Sequence, residues 1–225
     1  MQIREVSFIT DSVQGLQREE NRDALTVIED TDYFLVFLFD GVSSYENSLV
    51  GIQKIIKGIE QNHRAYFRDN DFSLKDALSD MHDMLCASLL PGMYTTVCAL
   101  YIPRNMNKTI KFSHLGDSRI YKYANGNLTL ETEDHNLSAT PHVLTKCLGM
   151  KTVTTDDFYE REIKAGVNEG FMLCTDGFSP LLEEYMLDYI KSSLYESDVY
   201  VKKTIRSNLA HKNSDDATYI IITIK

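Results

Sequence analysis

Residues Tyr33 to Asp40, YFLVFLFD, constrain the fold more than any other stretch. Six apolar residues in a row, Phe34 to Phe39, run into Asp40-Gly41. A run so short, aromatic and β-branched, closed by a turn pair, predicts a strand buried on both faces rather than a helix. Asp40 then stands at the exit of a buried strand, where an anion needs a cation or several donors to stay ionised. Gly41 lets the backbone turn away and brings its own carbonyl close to whatever Asp40 holds. Taken alone, Asp-Gly is an ordinary turn between two elements. A second copy of the pattern tells against that plain reading: Phe171 to Gly177, FMLCTDG, is another apolar run ending in Asp-Gly. Two separate buried strands each deliver a carboxylate at their end.

The remaining periodicities place elements around these two strands. Residues 3 to 10 alternate as a half-buried strand, and Ala24 to Ile28 pairs with Tyr33 to Asp40 as a hairpin across Asp30 to Asp32. From Asn47 to about Phe67 the pattern turns helical, with Val50, Ile52, Ile55, Ile56 and Ile59 on one face. A second helix runs from an N-capping Ser73 to Leu89, stopped by Pro91-Gly92, and its Met81 and Met84 read as core filling. Strands follow at Tyr94 to Ile102, Thr109 to His114, Arg119 to Tyr123 and Leu128 to Glu131, the last two joined by the hairpin signal Asn125-Gly126. Residues 134 to 146 read as irregular, and Phe158 to Ile163 as a further strand. Helices from Ser179 to about Leu194 and from Asp198 to about His211 precede a buried strand, Ala217 to Ile224. Two helices inside a run of strands, then two more before the last strand, predict an α+β layered fold of antiparallel sheets covered by helices.

Composition bounds the functions. The 225 residues show no linker, so one domain over residues 1–225 is expected. A net charge of −10 argues against nucleic acid or an anionic membrane surface as partner. No apolar run approaches the ~18 residues of a membrane span, and MQIREVSF lacks a signal-peptide core, so a cytoplasmic protein is expected. Cys86, Cys98, Cys147 and Cys174 lie in apolar segments without CxxC spacing, which predicts reduced core thiols rather than disulfides or a zinc site.

Five aspartates fall at element ends: Asp23, Asp40, Asp117, Asp176 and Asp215. They are either unrelated turn residues or a set that converges at one end of the sheets. Converging carboxylates repel one another unless a hard divalent cation lies between them, and Mg²⁺ or Mn²⁺ suits a few carboxylates plus waters. His114 and His135 read as satisfied polar residues, and Arg119, two residues from Asp117, as a structural ion-pair partner.

These residues carry a resemblance. Gly15 to Arg18 with Asn21-Arg22-Asp23, Phe39-Asp40-Gly41, Gly92 to Thr96, Leu115 to Arg119, Leu130 to Asn136, Leu144 to Gly149, Cys174 to Gly177 and Ser214 to Thr218 resemble, in order, the motifs of the PPM family. These are the metal-dependent, type-2C-like serine/threonine protein phosphatases, and the length is similar to that of their short bacterial members. The resemblance implies an α-β-β-α sandwich: two antiparallel sheets flanked by helix pairs. It implies that Asp40 bridges two Mn²⁺ or Mg²⁺ ions, with the Gly41 carbonyl and Asp23 on the side of one and Asp176 and Asp215 serving the other. Asp117 with Asp176 would complete a weaker third site, and Arg18 would bind phosphate as a guanidinium fork. Two such ions, about 3.5–4 Å apart, orient and acidify a bridging water for in-line attack on a phosphoserine or phosphothreonine ester. The implied partner is a phosphorylated protein, the substrate of a serine/threonine kinase, and the implied form a monomer.

The chain departs from the pattern at four places. Val42-Ser43-Ser44-Tyr45 lacks the histidine that some members carry after Asp-Gly, leaving protonation of the leaving group to water or to a residue such as His135. Arg22 stands where an acidic or amide residue holds a metal-bound water, and Asp216 replaces an asparagine. The stretch Leu137 to Val143 is much shorter than the usual flap. Together these motivate a second expectation, a catalytically weak or inactive phosphatase-like regulatory or binding domain.

Overall fold

The structure, a computed structural model, describes residues 4–69 and 71–225, with backbone only at 141 and 142. The first half runs through strands β1 (Val6–Val13), β2 (Asp23–Glu29) and β3 (Tyr33–Asp40), helix α1 (Ser48–Asn62), the short strands β4 (Phe67–Arg68) and β5 (Asp71–Phe72), and helix α2 (Leu74–Cys86). Strands β6 (Val97–Pro103), β7 (Ile110–Leu115), β8 (Arg119–Ala124) and β9 (Asn127–Leu130) follow, then β10 (Asn136–Leu137), β11 (Thr140–Leu144), β12 (Arg161–Ile163) and β13 (Gly170–Cys174). The chain ends with α3 (Ser179–Leu182), α4 (Met186–Tyr195), α5 (Asp198–Leu209) and β14 (Ala217–Ile224).

Two five-stranded antiparallel sheets face each other, in the orders β1-β14-β13-β8-β9 and β12-β7-β6-β3-β2. The period-two geometry of a strand explains why Tyr33 to Phe39 is apolar throughout. Phe34, Val36 and Leu38 point between the sheets with Leu100, Phe112, Phe171 and Ile222. Tyr33, Leu35, Phe37 and Phe39 point the other way, into a core with Ile52 and Ile55 of α1 and Leu78 and Met81 of α2. The opposite sheet does the same, with Tyr219 and Ile221 turned toward Met186, Ile190 and Ile205 of the second helix group. The expected α-β-β-α sandwich is therefore the observed one. A one-residue slip of β3 would exchange its two faces, so burial on both sides pins the register that sets Asp23 opposite Asp40.

Local chemistry accounts for several boundaries. Ser73 caps α2 by accepting from the Asp76 N–H at 3.1 Å, and Asn125-Gly126, both at positive φ (53° and 80°), makes the two-residue turn between β8 and β9.

Elsewhere the structure corrects the expectation. α1 stops at Asn62, because Phe67 and Phe72 turn inward onto Tyr33 and Tyr101, with ring centroids 4.9 Å (Phe67–Tyr33) and 5.4 Å (Phe72–Tyr101) apart. The helix expected from Ser179 to Leu194 is interrupted by a tight turn at Glu183–Tyr185, where Glu183 accepts from the Tyr121 hydroxyl at 2.9 Å. Residues 136 to 144, expected to be irregular, form the β10–β11 hairpin. Cys86, Val50 and Met84 are exposed rather than in the core, while Cys98, Cys147 and Cys174 are buried; all four thiols are free. The Ile3 end of the first expected strand lies outside the described residues. Among the described residues, no helix is long and apolar enough to cross a membrane.

Burial separates two substitutions of similar chemistry. Leu38→Ala, between the sheets, should cost about 2–5 kcal/mol of stability in a urea titration. Val50→Ala, on the exposed face of α1, should stay within about 0.5 kcal/mol. Equal costs would contradict the face assignment.

Candidate metal centre

β3 and β13 belong to opposite sheets, and Asp40, the last residue of β3, and Asp176, two residues past the end of β13, meet at one end of the sandwich. The β7–β8 turn brings Asp117 to the same place, and one carboxylate oxygen from each of the three lies within 4.8 Å of the others. Asp40 is held through its backbone. Its N–H donates to Thr96 Oγ1 at 3.2 Å, and its carbonyl accepts from the Thr96 N–H and from Thr95 Oγ1, both at 2.9 Å. Thr96 Oγ1 also meets Ser118 Oγ at 2.7 Å, which ties the Asp117 turn to the Asp40 strand. Gly177 follows Asp176 because a Cβ there would stand 2.0 Å from the Asp216 carbonyl oxygen.

Asp23 and Asp215 flank this triad without entering it. Asp23 is buried and accepts from Thr175 Oγ1 at 3.0 Å, turned toward the strand that leads to Asp176. Asp215 receives a two-pronged bond from Arg18, Nε to Oδ1 at 2.6 Å and Nη2 to Oδ2. Asp216 accepts from the N–H groups of Gly15 and Arg22, each at 2.8 Å, and so fastens the loop that carries Arg18. Arg22 turns away from the triad: it pairs with Glu20 at 3.0 Å and donates to the Ser43 carbonyl at 2.7 Å, bracing the loop after Asp40. Arg119 forks Asp134, with Nη2–Oδ2 at 2.8 Å, the structural pairing its position suggests.

The electrostatics follow from burial. Desolvation, and then the charges of Asp23 and Asp176, push Asp40 well above the ordinary carboxylate range. Desolvation raises Asp117 to about 7, helped by Asp176. Asp23 rises to about 8 for the same first reason, against the hydrogen bonds from Thr218 and Thr175. Asp176 is raised too, by burial first and by the charge of Asp215. Each carboxylate is therefore short of positive charge. The guanidinium groups of Arg18, Arg119 and Arg22 are engaged by Asp215, Asp134 and Glu20, outside the triad. An all-oxygen donor set of this kind fits a hard divalent cation of the Mg²⁺ or Mn²⁺ type. Two members of the triad, Asp117 and Asp176, line a cleft of about 320 Å³ together with Asp134, Asn136, Ser214 and Asp215. A larger cleft, about 530 Å³, lies at the Tyr33 end of β3, but its Asp30 is paired with Arg64.

Sequence reasoning named every member of the triad and both flanking aspartates, and the structure adds what holds them. Thr95, Thr96, Ser118 and Thr175 are the missed residues. They lie in or beside motifs already singled out, but small hydroxyl side chains carry no signal of their own until the strands meet.

A family profile described as Protein phosphatase 2C matches residues 16–212. No curated protein sequence matches the chain. Among solved structures, an S. agalactiae serine/threonine phosphatase superposes with a TM-score of 0.80 at 16% identity, covering 98% of this chain and all of that one. The catalytic domain of the serine/threonine protein phosphatase PstP, solved with two manganese ions, gives 0.71 at 17%, over 97% of this chain and 98% of that one. RsbX, solved with magnesium, gives 0.72 at 12%, over 98% and 96%. At such identities these likenesses establish the shared fold.

Proton and cation compete for the same carboxylates, and the raised positions of Asp117 (about 7) and Asp23 (about 8) set the window. Mn²⁺ affinity should rise from pH 6 to pH 8 with protons released on binding, as read by calorimetry in buffers of different ionisation enthalpy. The sign for folding is opposite. Carboxylates whose pKa is raised in the folded state stabilise it most below the ordinary carboxylate range, and that contribution is lost as pH rises through 7 to 8. The thermal midpoint of chelator-treated protein should accordingly fall across this interval, and Mn²⁺ should raise it most at pH 8.

Proposed function

Because this chain belongs to the protein phosphatase 2C family, we propose that it hydrolyses phosphoserine and phosphothreonine esters of proteins at a centre of two Mn²⁺ or Mg²⁺ ions built on Asp40. The observation that carries the proposal is the convergence of Asp40, Asp117 and Asp176, delivered by three distant segments to one place, with Asp117 and Asp176 lining an open cleft. When bound, the cations supply neutralising charge for the phosphoryl oxygens and a water acidified enough to attack phosphorus.

The chain's own residues divide the remaining work. Asp40, with the Gly41 carbonyl beside it, would be the shared ligand, Asp176 and Asp215 would hold one ion, and Asp23 would stand on the side of the other. Asp117 with Asp176 offers a third, weaker position. Arg18 orients the phosphoryl group. Its guanidinium now grips both oxygens of Asp215 and would turn to two phosphoryl oxygens once a cation engages that carboxylate, while the Gly15 and Arg22 amides on Asp216 hold its loop in place. His135 is not free to act as the general acid through Nδ1, which accepts the Gly116 N–H at 3.1 Å. We assign protonation of the leaving alkoxide to water reached through the open cleft. We read residues 1–225 as one domain acting as a cytoplasmic monomer on substrates of a serine/threonine kinase, a reading supported by the −10 net charge and the absence of a membrane-spanning helix among the described residues.

Millimolar Mn²⁺ should support phosphate release from a phosphothreonine peptide and from p-nitrophenyl phosphate, and chelation should abolish it. Asp40→Asn should lower kcat on the order of 10²-fold, while Arg18→Ala should act mainly by raising KM. Protein that binds Mn²⁺ and the phosphopeptide but turns over neither substrate would instead be a binding module.

A further inference from the structure

The residues Glu133, Asp134 and His135 dock on the β7–β8 turn at three successive points. His114 Nε2 donates to the Glu133 carbonyl at 2.8 Å, Arg119 forks the Asp134 carboxylate, and His135 makes two bonds to Gly116. In that last pair the His135 N–H donates to the Gly116 carbonyl at 3.0 Å, and the Gly116 N–H donates to His135 Nδ1 at 3.1 Å. The His135 ring lies flat on His114, with centroids 4.8 Å apart and planes 7° from parallel, and the Tyr159 hydroxyl bonds the buried His114 from behind. Nδ1 can accept only when unprotonated. Burial favours that state, drawing His114 down to about 4 and lowering His135.

Gly116 immediately precedes Asp117. It sits at φ +114°, and a Cβ there would stand 2.6 Å from the Thr96 side chain, so the turn cannot carry a side chain of its own to fix its orientation. The two bonds from His135 do that instead. Thr96, tied to the same turn through Ser118 Oγ at 2.7 Å, in turn accepts the Asp40 N–H, so the turn is joined to the backbone of a second triad residue. On its other side, His135 controls the hairpin at the cleft. β10 begins at the next residue, Asn136, which lines the cleft, and the Thr145 N–H, just past the end of β11, donates to the His135 carbonyl at 2.8 Å. Both roots of the hairpin therefore meet at one residue.

We propose that His135 is a positioning residue that couples this short hairpin to Asp117: its side chain fixes the Gly116 turn that sets the carboxylate geometry of the weaker cation position, and its backbone carries the roots of the segment facing substrate. This rests on the phosphatase reading above and goes further in assigning a role to His135.

Calorimetric Mn²⁺ titrations of wild type, His135→Ala and His135→Asn, with amide exchange at Gly116, test it. The Asn side-chain oxygen offers an acceptor near the position of Nδ1, so it should restore what Ala loses. His135→Ala should weaken the lower-affinity Mn²⁺ step by roughly 10–100-fold, raise KM for a phosphopeptide more than for p-nitrophenyl phosphate, and speed Gly116 exchange. His135→Asn should recover most of each. A merely structural histidine would lower the unfolding temperature of both variants and leave the Mn²⁺ steps unchanged, which overturns the proposal, as does an Asn variant no better than Ala. If the Ala variant does not fold, the wild-type Gly116 amide decides: exchange as fast as in an open loop overturns the assignment, and core-like protection upholds it. Wild type that binds no Mn²⁺ at all removes the metal reading first, and this inference with it.

Discussion

The mutual repulsion of three carboxylates at one end of a sandwich is the constraint around which this molecule is arranged. Asp40, Asp117 and Asp176 would separate if their backbones could move, and each lies where water can do little to shield it. What holds them is rigidity supplied from elsewhere. Seven consecutive buried residues on β3, each contributing about 1.5–3 kcal/mol of apolar burial, leave the strand with one register and no freedom to slide. β13 is as deeply buried between β14 and β8. Apolar burial sets the directions of these strands, and the acidic ends follow from them.

Hydrogen bonds make the finer adjustment. Thr95 and Thr96 grip the Asp40 backbone, Ser118 joins the Asp117 turn to Thr96, and Thr175 turns Asp23 inward. None of these hydroxyls competes for a cation as a charge would. They leave the carboxylate oxygens of the triad close to one another, and Thr95 and Thr96 take up backbone groups of Asp40 that burial would otherwise leave unpaired. This division between apolar strands that fix position and small hydroxyl groups that fix orientation explains how an acidic cluster can sit among fully buried neighbours.

The three arginines near the site show how little residue type alone says about role. Arg18 forks Asp215 from a loop tethered by Asp216 and stays partly open to solvent, whereas Arg119 is spent on Asp134 and holds a turn. Arg22, in a slot where the family's pattern has an acid or amide, braces the Ser43–Tyr45 loop. The departure after Asp40 and the departure at position 22 are thus one structural feature. The arginine at position 22 is committed to the carbonyls of the neighbouring loop.

Much of this was legible in the amino-acid order. The all-apolar run at Tyr33 to Phe39, the Asn125-Gly126 turn, the Ser73 cap and the two Asp-Gly exits are short-range signals, because burial periodicity and turn chemistry act within a few residues. They determined the layered fold and singled out Asp40 and Asp176, while Asp23, Asp117 and Asp215 were marked by their places at element ends and by the resemblance. What only the tertiary structure decided depends on contacts across long stretches of chain. α1 ends where Phe67 and Phe72 find Tyr33 and Tyr101, and Cys86 is exposed because α2 turns that face outward. Asp23 is drawn aside by a threonine 152 positions away, and Arg22 is drawn off by carbonyls beyond Asp40. Which aspartates converge, and which guanidinium stays near the cleft, is a matter of where the strands meet. Local sequence cannot encode that, because the partners are neighbours only after the two sheets have closed on each other.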